Sequence, residues 1–228
     1  MTIYEKALEF IPAGATVGLG SGRASTEFIK LLGARVKAGF KVRGGVPTSE
    51  ASGKLATELG IPVLSLEDAM PLDVAIDGAD EWDPDLNLIK GYGRALVREK
   101  VVEAASKKLV ILVGPGKDVK VLGEKGKLPV EVVPLALPLA RSKLKEFGWE
   151  PVLWMTADGK RALTDNGNYI LDCAIPRDRL IHRPAEVEAR ILAIPGVLGT
   201  GLFLGMTDVL LVGDKDFHQI EERRRKGT

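Results

Sequence analysis

The stretch LDVAIDGADEWDPDLNLIKGYGRALVREK, from Leu72 to Lys100, decides how this chain is read. It opens as a short apolar strand over Asp73-Val74-Ala75-Ile76 and breaks at Asp77-Gly78-Ala79-Asp80. It then crosses a polar loop to Lys90-Gly91-Tyr92-Gly93 and enters a helix that carries Glu99. Three carboxylates and one lysine therefore stand around two glycine-bearing turns, where α/β folds place their sites. Asp-Gly-x-Asp at a strand end suits a hard cation such as magnesium, and it suits a plain turn equally well. Glu99 follows Val97 by two residues, roughly opposite the apolar line Val97, Val101, Ala104 and Ala105. That spacing predicts that Glu99 faces away from the buried stripe of its helix.

Upstream, Ala15–Leu19 reads as a buried strand that runs into Gly18-Leu19-Gly20-Ser21-Gly22-Arg23-Ala24-Ser25-Thr26. A helix with Phe28, Ile29, Leu31 and Leu32 follows. A strand, a glycine-rich turn and a helix N-terminus make an anion site, because backbone amides and the helix dipole point at the loop. The spacing is G-x-G-x-G, and no acidic residue follows Lys41-Val42-Arg43, which argues against a dinucleotide. No Gly-Lys-Ser/Thr closes the loop either. A small phosphorylated or polyhydroxylated ligand fits, as does a tight turn that uses glycine only for its backbone geometry. Val46-Pro47-Thr48-Ser49-Glu50-Ala51-Ser52 is a second polar loop, capping a helix that runs to about Leu59.

Strands predicted at Ile61–Leu64, Asp73–Ile76 and Lys108–Val113 alternate with helices, the rhythm of a parallel sheet. The last of them ends at Gly114-Pro115-Gly116-Lys117. From Leu128 the rhythm changes to βαββαβ: strands at Val130–Val133, Val152–Met155, Tyr169–Ala174 and Val197–Phe203, helices at Ala136–Phe147 and Ala185–Ile194. That order is the split-βαβ, ferredoxin-like unit. Asp208–Val212 is expected to return to the first sheet, with a terminal helix after it. The chain is thus an α/β domain, residues 1–127 plus 205–228, interrupted by an α+β insert at 128–204.

Composition closes off several classes. With 228 residues, 45 % apolar and 28 % charged, the chain is ordinary globular material. A net charge of +1 gives no reason to expect nucleic acid or membrane partners. The basic run Arg223–Lys226 reads as a solvated helix end or tail. Cys173 is the lone cysteine and only His182 and His218 supply imidazoles, which excludes an internal disulfide and a zinc site built from these groups. The opening MTIYEKALEFI reads as an amphipathic helix, and the chain is expected to be cytoplasmic. Three asparagines and one glutamine beside abundant charge suggest a heat-stable source.

The segments Gly18–Thr26, Val46–Ser52, IDGADE, LIKGYGRALVREKVV, LPVEVVP, TDNGNYILD and IPGVLGTGLF, in this order, resemble ribose-5-phosphate isomerase of the A type across nearly the whole chain. The resemblance implies a Rossmann-like domain with a ferredoxin-like lid. It implies cofactor-free interconversion of ribose 5-phosphate and ribulose 5-phosphate in a homodimer or tetramer. By position it puts the general base on Glu99, essential acids on Asp77 and Asp80, and essential lysine on Lys90. It puts substrate contacts on Ser21, Gly22, Arg23 and Ala24, on Asp77, Gly78, Ala79 and Asp80, on Lys90, Gly91, Tyr92 and Gly93, and on Lys117. Two departures stand out: Arg23-Ala24 where the family commonly has hydroxyl residues, with Ser25 and Thr26 next in line, and Tyr92 in place of a glycine. A sugar-phosphate sensor on the same fold is the main rival, and it would have no use for Glu99.

Overall fold

The computed structural model describes residues 1–225, so Lys226 of the basic run lies outside the described residues. Thr2 caps α1 (Ile3–Leu8) by accepting from the Glu5 amide, while the Glu5 carboxylate accepts from the Thr2 amide. β1 (Ala15–Leu19) leads through Gly22, at φ 88°, into α2 (Arg23–Lys37). There follow β2 (Val42–Pro47), α3 (Glu50–Glu58) capped by Ser49, the single turn α4 (Leu66–Ala69) and β3 (Val74–Gly78). Then come β4 (Glu81–Trp82), β5 (Leu88–Ile89), α5 (Leu96–Ala104), β6 (Leu109–Val113), β7 (Lys127–Val132) and α6 (Leu137–Lys145). The chain continues through β8 (Glu150–Leu153), β9 (Tyr169–Ala174), α7 (Pro184–Leu192), β10 (Val197–Thr200), β11 (Leu202–Phe203), β12 (Val209–Gly213) and β13 (Gln219–Arg224).

These elements form two compact units. The first holds Met1–Ala79, Arg98–Lys117 and the segment from Gly205 on. Its six-stranded sheet has the order β13-β12-β6-β3-β1-β2. β2, β1, β3, β6 and β12 run parallel, and β13 is antiparallel to β12. Strands covered on both faces need apolar residues at successive positions, and β1, β6 and β12 are buried at every one. Phe28, Ile29 and Leu32 of α2 fill the core with Val17, Leu19, Ile76 and Leu112. The strand order reverses at β1 and β3, the place where open α/β sheets leave a crevice at their carboxyl ends.

Two expectations fail here. Ile61–Leu64 is not a strand: Pro62 has no amide to donate, and the segment makes only an isolated bridge between Val63 and Gly45. The terminal helix is instead β13. The Asp214 carboxylate accepts from the amides of Asp216 and His218 at 2.8 and 2.9 Å, and Phe217 takes φ 61°. That turn folds the chain back along β12 as a hairpin. Arg223 and Arg224 belong to this strand, beside Glu221 and Glu222, rather than to a helix end.

The second unit comprises Asp80–Val97 and Asp118–Leu204. It contains the whole expected insert, and residues 80–97 and 118–127 cluster with it as well. Its antiparallel sheet has the order β10-β7-β9-β8, which is the ferredoxin-like arrangement of a βαββαβ chain. Leu128, Val130 and Val132 of β7 and Leu171 and Cys173 of β9 share a core with Leu144 of α6 and Ile191 of α7. Burial pushes the Cys173 thiol up, as befits an inert side chain. β4 and β5 lie in the stretch that the sequence suggested was polar loop, and they pair with β11 in a small sheet of order β11-β5-β4. Asp83 organises its turn by accepting from the amides of Asp85 and Asn87. The expected strand Val197–Phe203 breaks at Gly201, where a Cβ would meet the Lys90 carbonyl oxygen at 2.3 Å. Among the described residues no helix is long and apolar enough to cross a membrane.

Candidate active site

In the first unit the predicted site is built at the ends of β1 and β3. Asp77, 1 % exposed, accepts at Oδ1 from the Ser25 hydroxyl at 2.6 Å, the Gly78 amide at 2.7 Å and the Ser21 amide at 3.1 Å. Three donors on one oxygen fix this carboxylate against the glycine-rich loop. Gly20 makes the approach possible, because a Cβ there would fall 2.2 Å from Asp77 Cγ. Gly20→Ala is therefore expected to cost about 1–3 kcal/mol as an overpacked site and to displace Asp77. A lowered denaturant midpoint together with a lowered kcat would check this, and wild-type values for both would refute it.

Ser21 also reaches sideways. Its hydroxyl lies 2.7 Å from Thr48 Oγ1 and donates to Ser49 Oγ at 2.8 Å, and Ser52 donates to the Gly20 carbonyl at 2.7 Å. Thr48, Ser49 and Ser52 were legible only as a polar capping loop, and their link to Ser21 is a tertiary contact that no local pattern announces. Gly22 precedes α2 without a side-chain cap, which leaves the leading amides and the dipole of a 15-residue helix directed at this loop. Ala24 lies beside Gly78, and the Thr26 amide donates to the Gly22 carbonyl. The Arg23 guanidinium sits 5.8 Å over the Phe217 ring. Lys117 stands half-buried in the turn after β6.

Glu99 corrects the reading of its helix. It is 3 % exposed, as are Val102 at 4 % and Glu103 at 3 %, whereas Val101 is 49 % exposed. Residues 99, 102 and 103 share one helical face, and Val102 packs with Val46, Ala69 and Leu72. The buried face of α5 thus carries two carboxylates, and the apolar line that includes Val101 turns partly outward. Two acids in packed positions break the apolar period, so the spacing pointed to the wrong side.

In the second unit, Asp80 accepts at Oδ2 from the Tyr92 amide at 3.0 Å, while its own amide donates to the Ile89 carbonyl. Lys90 is 1 % exposed, its amide donates to the Gly201 carbonyl at 2.9 Å, and its Nζ lies 4.9 Å from the Phe203 ring centroid. Gly91 takes φ 103°, a conformation that favours glycine. The Tyr92 ring packs against the core of this unit, and its hydroxyl donates to the Lys127 carbonyl. Burial raises the phenol well above its ordinary value. At Tyr92 the turn is tied down through both backbone and side chain, and Gly93 is exposed. Glu81, fully buried, was missed: its carboxylate accepts from the amides of Gly123 and Lys125 at 2.7 and 2.8 Å. Burial pushes this carboxyl up, against the pull of those two amides.

The structure therefore brings Ser21, Gly22, Ser25, Asp77 and Gly78 together in one unit, which also carries Arg23, Ala24, Thr26, Ala79, Glu99 and Lys117. It brings Asp80, Lys90, Gly91, Tyr92 and Gly93 together in the other.

Residues 44–217 match the family model described as ribose 5-phosphate isomerase A (phosphoriboisomerase A). The chain is 45 % identical over 213 residues to ribose-5-phosphate isomerase A of Roseiflexus sp. (strain RS-1), covering 93 % of this chain and 90 % of that protein. To the Pyrococcus abyssi protein of the same name it is 42 % identical over 222 residues, covering 96 % and 95 %. A solved D-ribose-5-phosphate isomerase in complex with phospho-erythronic acid superposes with TM-score 0.91 at 38 % identity, covering 97 % of this chain and 96 % of that one. Ribose 5-phosphate isomerase A from Methanocaldococcus jannaschii gives 0.90 at 35 % identity, covering 98 % and 96 %. On a family model that spans most of the chain and relatives that match nearly all of it, the chain belongs to the ribose 5-phosphate isomerase A family.

Proposed function

We propose that this chain interconverts ribose 5-phosphate and ribulose 5-phosphate through an enediolate, using side chains alone. The observation that carries the reading is the burial of Glu99 on the packed face of α5. Burial makes the charge of a carboxylate costly, which suits a group that must take up and return a proton. Moving a carbonyl between C1 and C2 needs a base that takes a proton from one carbon and returns it to the next. Glu99 fills that role. The Lys90 ammonium stabilises the oxygen on which charge develops.

Asp77 is assigned to opening the sugar ring and Asp80 to the substrate hydroxyls. Ser21, Gly22, the first turn of α2 from Arg23 to Thr26, and Lys117 are assigned to the phosphate, which suits leading amides and cationic groups. A phosphorylated polyhydroxy acid bound to a similar solved isomerase supports this class of ligand.

Working as a homodimer or tetramer in the cytoplasm belongs to the same reading. The test of function is turnover of ribose 5-phosphate in D₂O. Ribulose 5-phosphate carrying solvent deuterium is expected; binding of the sugar phosphate without turnover or exchange would make the chain a sensor instead.

A further inference from the structure

Arg94 closes the turn Lys90-Gly91-Tyr92-Gly93 with a φ of 72°, a left-handed conformation that is strained for a residue with a Cβ. Nη1 donates to Asp172 Oδ1 at 2.7 Å and Nη2 donates to Asp172 Oδ2 at 2.9 Å, a two-pronged pair. Lys127 Nζ donates to the same Oδ2 at 2.9 Å. The guanidinium lies 5.0 Å from the Trp154 ring centroid. The Lys127 ammonium lies 4.5 Å over the Tyr92 ring, whose hydroxyl donates to the Lys127 carbonyl. The side chain at 92 is thus tied to β7 and that at 94 to β9, while the residues between and before them are glycines.

The pair is shielded: the Arg94 side chain is 20 % exposed and that of Asp172 17 %. Burial alone would raise the Asp172 carboxyl, but the hydrogen bonds from Arg94 and Lys127 outweigh it and hold it below the usual range. The Asp172 carboxylate is therefore ionised at neutral pH, as the two-pronged geometry requires.

Gly91 and Gly93 give the turn a soft backbone. The Lys90 ammonium and the amides after it are useful only if that backbone is held in one place. A turn that needed nothing more than its left-handed geometry would be served by glycine at position 94 without strain. We propose that the Arg94–Asp172–Lys127 cluster is the positioning device for the Lys90 turn, and that it acts on catalysis through Lys90. The inference rests on Lys90 serving the isomerisation as proposed above.

Two variants separate positioning from mere stability. Arg94→Gly removes the fork while relieving the backbone, and Asp172→Asn keeps the shape while removing the charge. Each is expected to lower kcat by about 10–100-fold, the scale of misplacing a catalytic group by around 1 Å, with KM changed far less. Both proteins should remain folded by circular dichroism at the assay temperature. Arg94→Lys, which keeps the charge but not the two-pronged geometry, is expected to fall between wild type and Arg94→Gly. If wild type turns over and Arg94→Gly and Asp172→Asn keep kcat within about twofold, the cluster is only a structural tie and the inference fails. If wild type itself does not isomerise ribose 5-phosphate, the functional reading fails instead.

Discussion

Glu99→Gln is expected to lower kcat by at least about 10²-fold, the lower end of what a placed acid–base group contributes. The amide matches the carboxylate in shape, so Val102 and its neighbours in the first unit keep their packing. It cannot accept the proton from the sugar carbon, so exchange of that carbon's hydrogen with solvent should fall together with turnover. Stability should move the other way or stay level, because a neutral amide is cheaper to bury than a carboxylate. A variant that is as stable as wild type and nearly inert is the signature of a residue kept for chemistry at some cost to folding. Comparing kcat, deuterium incorporation and thermal midpoint tests all three statements. Near-normal turnover in a folded Glu99→Gln protein would remove Glu99 from the mechanism.

Lys90→Met is expected to lower kcat by about 10²–10³-fold, the range seen when one preorganised donor to a developing oxyanion is lost. Methionine approximates the length of the lysine stem and suits the apolar contact with Phe203, so the fully buried side chain leaves little void. The pattern of the loss matters as much as its size. If Lys90 steadies the enediolate oxygen, kcat falls and KM moves little, since that charge is absent from the bound ground state. If Lys90 instead grips a group that is charged throughout, such as the phosphate, KM rises while kcat holds. The second outcome would reassign Lys90 to binding and take the oxyanion role from it.

Much of the frame was legible because it follows from simple periodicities. β6 and β12 read as unbroken apolar runs because their strands are covered on both faces, and β1 is broken only by Thr16. The βαββαβ rhythm after Leu128 matched the second sheet because each of its elements is long enough to show its own period. The turn at Asp77 was visible from its glycine and its acids, whereas the turn read over Gly18–Thr26 is shorter than expected: α2 already starts at Arg23, so Ser25 reaches Asp77 from the first helical turn.

What escaped has physical reasons. β4 and β5 have two residues each, too few for any alternation to appear. β13 has a polar composition that resembles a helix end, and only the turn centred on Asp214 makes it a strand. On α5 two acids, Glu99 and Glu103, occupy positions that packing would give to apolar residues, so the spacing of Val97, Val101 and Ala104 misdirected the face. The contacts of Ser21 with Thr48 and Ser49 join residues 27 and 28 positions apart, and Glu81 finds its partners beyond residue 120. Pairings of that kind are decided by the fold as a whole.

The hairpin that replaced the expected terminal helix bears on how the molecule behaves in company. β12 is apolar and buried along its whole length, and an uncovered strand of that kind would offer a ready template for a stranger's backbone. β13 occupies that border with Glu221 beside Arg223 and Glu222 beside Arg224, each pair at 2.6 Å. A border strand so densely charged is a poor invitation to further strand addition, so this hairpin works as a guard against aggregation as much as a piece of architecture.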